Sequence, residues 1–295
     1  MSRGINELKD LLQRVRQTRK ITNALYLLSS ARLNSDRTAW EYRAEYAKRL
    51  QNAMEQILSA ADAKKLQSPF LKPDNGGKPL YLIITGDKGL CGSYNNDIVR
   101  FALSVIKEKT EQSGTAPLVY GFGKVCASKA EQAGIRLDRT LPGAASHPDV
   151  QTSAVVCSEL LKAYSDGEAS EIVFICTPYS SSRRKPVCRR LLPLCADDFR
   201  QEGASEEETV FEPDVSSVFD AVTKAYLENE VYSLLVGAAL SENHARMTAM
   251  KEATDKADER AEELEKTMNS ERQLAITNEL SEISAAAGAQ RKSKE

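Results

Sequence analysis

Apolar residues near the start of the chain recur three and four positions apart, at Ile5, Leu8, Leu12 and Val15. That spacing draws one narrow stripe along a helix and makes a coiled-coil seam. Arg19 and Thr22 then stand where the stripe would continue, and Ile21, Leu25 and Leu28 resume it one position off, so a slip of register is expected there. At the other end Met247, Met250, Thr254, Ala257, Ala261, Leu264 and Met268 step by 3, 4, 3, 4, 3 and 4, and Ile276, Leu280 and Ile283 carry an apolar stripe further. Small residues such as Ala257 and Ala261 permit close approach of a second helix. The predicted helices cover about residues 5–61 and 214–287 and would run roughly 75–85 Å and up to roughly 100 Å at 1.5 Å per residue. Neither can bury a single seam alone, and the intervening chain lets them pair antiparallel.

Between them the pattern changes. Leu80–Thr85, Leu118–Phe122 and Ile172–Thr177 are short continuous apolar runs. They alternate with amphipathic stretches at Asn95–Lys109, Lys124–Ala133 and Thr152–Tyr164. Strands alternating with helices predict a mostly parallel sheet, and a further strand near Val187–Leu194 suits an edge. All ten prolines lie between Pro69 and Pro213, no glycine occurs between Ile5 and Asn75, and only Gly237 and Gly288 follow Gly203. Because proline and glycine interrupt helices, their placement divides the chain into residues 1–68, 69–212 and 213–295. The expected class is α/β: a long antiparallel coiled coil of N- and C-terminal helices with an inserted Rossmann-like, mostly parallel α/β domain.

Charge changes this picture locally rather than globally. The net charge of -2 sets up no field that would demand nucleic acid or an acidic membrane. Between Asp10 and Asp36, however, Arg14, Arg16, Arg19, Lys20 and Arg32 occur with no acidic residue. Such a basic face suits an acidic partner surface, or serves as a solvated face. Arg183, Arg184, Lys185, Arg189 and Arg190 form a second basic cluster, suited to an acidic partner, to lipid headgroups or to solvent. No apolar run approaches the roughly 20 residues that a bilayer span needs, and residues 1–6 carry no signal-peptide pattern. The expectation is a cytosolic chain that meets a membrane only through a complex.

Candidate chemistry is sparse. The six cysteines lack a CxxC pair, and His147 and His244 are far apart in sequence, so reduced core thiols and no metal site are expected. Gly86-Asp-Lys-Gly-Leu-Cys-Gly92 follows a strand and precedes a helix, where phosphate loops sit, but no Gly-Lys-Ser/Thr closes it. A tight strand-to-helix turn, with Asn95 or Asn96 near the helix start, is the plainer reading. Gly121-Phe-Gly123 begins a dinucleotide fingerprint that Cys126 breaks at its third glycine. No nucleophile elbow, HExxH or Cys/His constellation occurs, and no catalytic, cofactor or metal residues are assigned.

Three stretches resemble the gamma subunits of F-type ATP synthases. Lys20-Ile-Thr-Asn-Ala-Leu25 is similar to that family's Lys-Ile-Thr-x-Ala-Met signature. Ile84-Thr-Gly-Asp-Lys-Gly-Leu-Cys-Gly92 resembles its turn after the first strand. Ala245-Arg-Met-Thr-Ala-Met-Lys-Glu-Ala-Thr-Asp255 and the stretch Arg272–Ile283 resemble its C-terminal motif. Departures occur at Leu25, where methionine is usual, at Asn23 and in residues 27–33. The resemblance implies a shaft inside a hexamer of alpha and beta subunits, with the α/β domain turned toward the epsilon subunit and a ring of c subunits. It further implies that Arg272 and Gln273 hydrogen-bond a beta-subunit loop. Lys20 and Leu25 would lie in the stretch that faces acidic segments of the beta subunits, beside the basic face of Arg14, Arg16, Arg19 and Arg32. For Arg183, Arg184 and Lys185 a contact on the c-ring and epsilon side is the expectation.

Two other function classes fit parts of the chain. A coiled-coil adaptor or nucleic-acid binder would use the basic helix as an arm, yet of the aromatic residues only Tyr26 is close to the basic run. A small-ligand α/β enzyme with helical extensions would use the two glycine turns.

Overall fold

The computed structural model describes residues 2–59, 66, 68–71, 76–179, 185–199, 211–212 and 214–292. Ten elements follow one another: α1 (Ser2–Ser59), β1 (Lys78–Ile84), α2 (Tyr94–Ser113), β2 (Leu118–Phe122), α3 (Cys126–Gln132), β3 (Arg139–Thr140), α4 (Val150–Ser165), β4 (Ala169–Cys176), β5 (Val187–Leu192) and α5 (Val215–Lys292). The two expected terminal helices and the three central strand–helix pairs are all present. The two-residue strand β3 was not foreseen; it is too short to leave a periodic signal.

The chain packs as two compact units, residues 29–246 and residues 1–28 with 247–295. Packing thus draws its division elsewhere than the helix breakers do, because the second part of α1 and the first part of α5 belong with the sheet.

In the larger unit the sheet order is β3-β2-β1-β4-β5. β1 pairs in parallel with β2 and β4, β2 pairs in parallel with β3, and β5 closes the edge antiparallel to β4. β1 alternates its side chains between two cores. Leu80, Leu82 and Ile84 join Phe122, Phe174, Leu160 of α4, Met54 and Ile57 of α1, and Phe219, Leu227 and Leu235 of α5. Tyr81 and Ile83 point the other way and meet Ile98 and Ala102 of α2 with Cys126 and Ala130 of α3. Burial on both faces explains the unbroken apolar run of β1, which a one-sided strand would have replaced with alternation. β5 is exposed at Val187–Arg190, as an edge strand with basic side chains.

In the smaller unit α1 and α5 lie antiparallel. Thr22 meets Thr254, Arg19 meets Asp258 and Arg16 meets Glu265, so one number falls as the other rises. Leu12, Met250, Ala257 and Leu264 are buried along this seam. The predicted slip of register in α1 does not occur. Thr22 and Ser29 are buried, whereas Ile21 and Leu28 are exposed at 62% and 49%. The seam runs straight through because Thr254 offers Thr22 a polar partner: their hydroxyl oxygens are 2.8 Å apart. Thr22 donates to the Arg19 carbonyl, and the Thr254 hydroxyl lies 2.8 Å from the Met250 carbonyl oxygen.

Candidate functional site

Two surfaces carry what the sequence singled out, one in each unit. In the smaller unit, Arg14, Arg16, Arg19 and Lys20 are all exposed on α1, and Leu25 is half-buried. The basic face is partly answered within the chain. Arg16 pairs with Glu265 at 2.5 Å and Arg19 with Asp258 at 2.8 Å, each with more than 40% of the side chain exposed. Solvated pairs of this kind are worth about 0–1 kcal/mol and hold register weakly. Arg14 and Lys20 form no ion pair among the described residues, so positive charge is left over. Arg32, half-buried in the larger unit, lies near Asp36.

Beyond Met268 the seam ends. Arg272 and Gln273 are exposed, and so are Leu274, Ile276, Leu280 and Ile283, at 56, 47, 61 and 66%. The antiparallel pairing explains why. With Thr22 opposite Thr254, the first residues of α1 lie opposite the low 270s of α5, so the later turns of α5 have no facing helix among the described residues. The apolar stripe was legible in the sequence; that nothing in the described chain covers it was not.

In the larger unit the turn Gly86–Gly92 connects β1 to α2. Asn95 ties it down: its Oδ1 accepts from the Gly86 amide at 2.8 Å and its Nδ2 donates to the Lys88 carbonyl at 3.3 Å. Asp87 accepts from the amide and hydroxyl of Ser146, both at 2.9 Å, and from the Lys124 amide at 3.1 Å. Partial burial would raise its carboxyl, but these donors outweigh that and hold it below the usual range.

A buried ion pair of α5 seats against the same turn. Glu242 and Arg246 are only 1% and 9% exposed, one helical turn apart and in direct contact. The guanidinium also donates to the Gly89 carbonyl through Nε and Nη2, each at 3.4 Å, and to Asn243 Oδ1 at 3.2 Å. Burial pushes the Glu242 carboxyl up, and Arg246 pulls against it. Any Cβ at Gly86 would collide with this carboxylate, which is why glycine stands there. A carboxylate against the turn also opposes the binding of a phosphate, so the phosphate-loop reading has little support. Sequence reasoning missed this pair. Its signal was an acid and a base at i and i+4 directly after the apolar stretch Val231–Leu240.

The second glycine turn is equally structural. Gly123 takes φ +97°, and a Cβ there would collide with the Thr85 carbonyl. Cys126 is fully buried and its Sγ would crowd any side chain at Gly121. All six cysteines are free. Burial pushes Cys126 up to about 11 and Cys157 and Cys176 up to about 12, leaving them protonated and poor nucleophiles.

Of the second basic cluster, Lys185 is exposed, Arg189 pairs with Glu230 at 2.7 Å and Arg190 with Asp198 at 2.9 Å. Arg183 and Arg184 lie outside the described residues. No group of three or more potential metal ligands occurs among the described residues, and no described helix is long and apolar enough to cross a membrane.

Comparison with known proteins gives one consistent result. A family model described as ATP synthase matches residues 4–289. The ATP synthase gamma chain of Caldanaerobacter subterraneus is 33% identical over 286 residues, covering 92% of this chain and 95% of that one. The gamma chain of Laribacter hongkongensis is 31% identical over 289 residues, with 96% and 98% covered. Among solved structures, a chain from the rotor of the Euglena gracilis mitochondrial ATP synthase is similar with a TM-score of 0.65 at 16% identity, over 94% of this chain and all of that one. A chain from the OSCP/F1/c-ring part of the same enzyme gives 0.68 at 17%, over 100% and 97%. At such identities these two likenesses concern the fold.

Proposed function

The chain belongs to the gamma-chain family of ATP synthases, and from that premise we propose that it is the central shaft of such a complex and performs no chemistry itself. Its partners are the alpha and beta subunits as a hexamer, the epsilon subunit and the c-subunit ring. Ion flow turns the ring, the shaft turns with it, and each beta subunit in turn meets a different face of α1 and α5. Energetically the shaft biases an equilibrium between open and closed catalytic subunits rather than contributing reacting groups. The chain lies on the cytoplasmic side of the membrane and is held there only through the complex.

One observation carries this reading. α5 continues past the start of α1 with Leu274, Ile276, Leu280 and Ile283 exposed on a helix that has no facing partner among the described residues. Apolar side chains in a row on an unpaired helix favour a surrounding protein surface over water. In this reading Arg272 and Gln273 hydrogen-bond a beta-subunit loop, and Lys20, Leu25 and the unpaired Arg14 face acidic segments of the beta subunits. Lys185, with Arg183 and Arg184, contacts the c-ring and epsilon side. Opposite charge across such a contact steers assembly and fixes register.

The test is co-expression with the alpha and beta subunits of its own operon, followed by gel filtration and an ATPase assay. An assembly of three alpha, three beta and one copy of this chain, losing ATPase when the residues after Thr267 are deleted, is expected. A chain that elutes alone, with alpha and beta unaffected by its presence, would overturn the reading.

A further inference from the structure

We propose that Glu242 and Arg246 form the joint that fixes the rotational setting of α5 on the sheet, so that turning of the larger unit passes along the helix without play. The inference rests on the shaft reading above and adds to it the residues through which torque enters α5. Arg246 is the last residue of the larger unit, and α5 runs on unbroken from it into the smaller one.

Two kinds of contact hold α5 to the sheet. Its earlier turns use apolar side chains, Phe219, Leu227, Val231 and Leu235 among them. Ala238, Glu242 and Arg246 then follow at i, i+4 and i+8, one above another along the helix, and each meets the segment that runs from the end of β1 into α2. The Tyr94 hydroxyl donates to the Ala238 carbonyl at 2.9 Å. The Glu242 carboxylate fills the notch left by the missing side chain of Gly86, and Arg246 donates to the Gly89 carbonyl. The gripped segment is itself braced. Asn95 holds Gly86 and Lys88, and Asp87 is tied to Ser146 and Lys124, so a load on the turn reaches the loops after β2 and β3.

Stability alone does not call for a buried ion pair at this place. Replacing such a pair by well-packed apolar side chains is often neutral or stabilising, and the apolar packing of the earlier turns could have continued. What the pair adds is direction. Apolar attraction is non-directional, whereas a hydrogen bond weakens steeply as its angle departs from linearity. Side-chain atoms lie about 5–6 Å from the helix axis, so a rotation of α5 by about 20° displaces them by about 2 Å. That displacement breaks the contacts of Arg246 in one sense of rotation and drives Glu242 against the backbone of Gly86 in the other. The helix is therefore stiffest in rotation where it leaves the sheet.

The experiment uses the full chain assembled with the alpha and beta subunits, the hexamer fixed to a surface and an optical probe attached to the larger unit at the exposed Cys188. The angular variance of the probe during catalytic pauses reports torsional stiffness, which a merely stabilising pair would not change. Glu242→Gln combined with Arg246→Met and Tyr94→Phe strands no charge and removes the directional contacts, so the variance should rise at least about twofold. Tyr94→Phe alone keeps the ring in its buried place and removes one contact, and it should give a smaller rise in the same direction. It carries the test by itself if the triple variant fails to fold. Unchanged variance in either variant, whatever its Tm, overturns the proposal and leaves the shaft reading standing. A wild-type chain that forms no assembly overturns both.

Discussion

Replacing Arg246 with methionine would keep most of the side chain's volume and remove only its charge and donors. Glu242, at 1% exposure, would then carry its charge in the protein interior with no counter-ion. Breaking a buried pair from one side costs about 3–5 kcal/mol, because the remaining charge is uncompensated. The guanidinium also serves the Gly89 carbonyl and Asn243, which supports the upper part of that range. For a unit of this size each kcal/mol moves Tm by about 2–4 °C, so a fall of about 10 °C is expected. Urea unfolding followed by far-UV circular dichroism, with a thermal scan, measures both quantities.

The pH dependence carries the sharper information. Burial raises the folded-state pKa of Glu242 above its unfolded value near 4.5 despite Arg246. Between those two values the folded state binds more protons, so this group's contribution is fully present below pH 4.5 and is lost as pH rises through the folded value. Without Arg246 the folded pKa climbs further and the window widens upward. Arg246→Met should therefore be least harmful near pH 5 and most harmful near pH 8. Glu242→Gln combined with Arg246→Met should recover a large part of the loss, since no charge remains to be stranded. A loss under about 1 kcal/mol, a flat pH profile, or strict additivity in the double variant would refute the argument.

Asp87→Asn should cost about 1–3 kcal/mol by urea unfolding, because an amide cannot accept all the hydrogen bonds from Ser146 and Lys124. Since those donors hold the native carboxyl below its unfolded value near 3.8, its contribution is present above that pH. It is lost as pH falls through the lower folded value, and the variant should lack this acid-side loss. Gly123→Ala combines a left-handed φ of +97° with a collision against the Thr85 carbonyl. A loss of about 3 kcal/mol or more is expected, read as a fall in Tm or as insoluble expression. Leu280→Ser with Ile283→Ser should leave the stability of the isolated chain within about 0.5 kcal/mol, since both are exposed. The ATPase of the co-expressed complex should nevertheless fall severalfold, and an unchanged ATPase would place the contact elsewhere on the helix.

What could be read in the sequence depended on whether the physics was local. The terminal helices announced themselves through 3-4 spacing and the exclusion of proline, and β1, β2 and β4 through unbroken apolar runs that both sheet faces bury. The path of the seam through α1 was misread because apolarity was used as the guide to burial. Thr22 is buried because Thr254 faces it, and Ile21 is exposed because nothing does; that information lies 232 residues away. The basic run looked wholly unanswered for the same reason, since Asp258 and Glu265 belong to the other helix. Glu242 and Arg246 passed as ordinary charges on a helix until the turn at Gly86–Gly89 was seen against them.

The two units differ in how much holds each together, and that difference bears on function. The larger unit buries both faces of a five-stranded sheet. The smaller one has a single seam in which Leu12, Met250 and Leu264 are the large buried apolar residues, with Thr22, Thr254 and Ala257 between them. At about 1.5–3 kcal/mol for each large side chain, those three supply on the order of 5–9 kcal/mol. Against this stands the backbone entropy of two helical stretches, at about 1–2 kcal/mol per residue ordered, offset in large part but not wholly by helix hydrogen bonding. Exposed pairs such as Arg16–Glu265 add little. A helical pair so thinly sealed, with an apolar stripe left open past Met268, is completed by binding rather than by its own core: whatever surrounds it stabilises only the folded form and shifts the balance by mass action. That is the expected physics of a shaft whose rigidity is needed only inside its bearing.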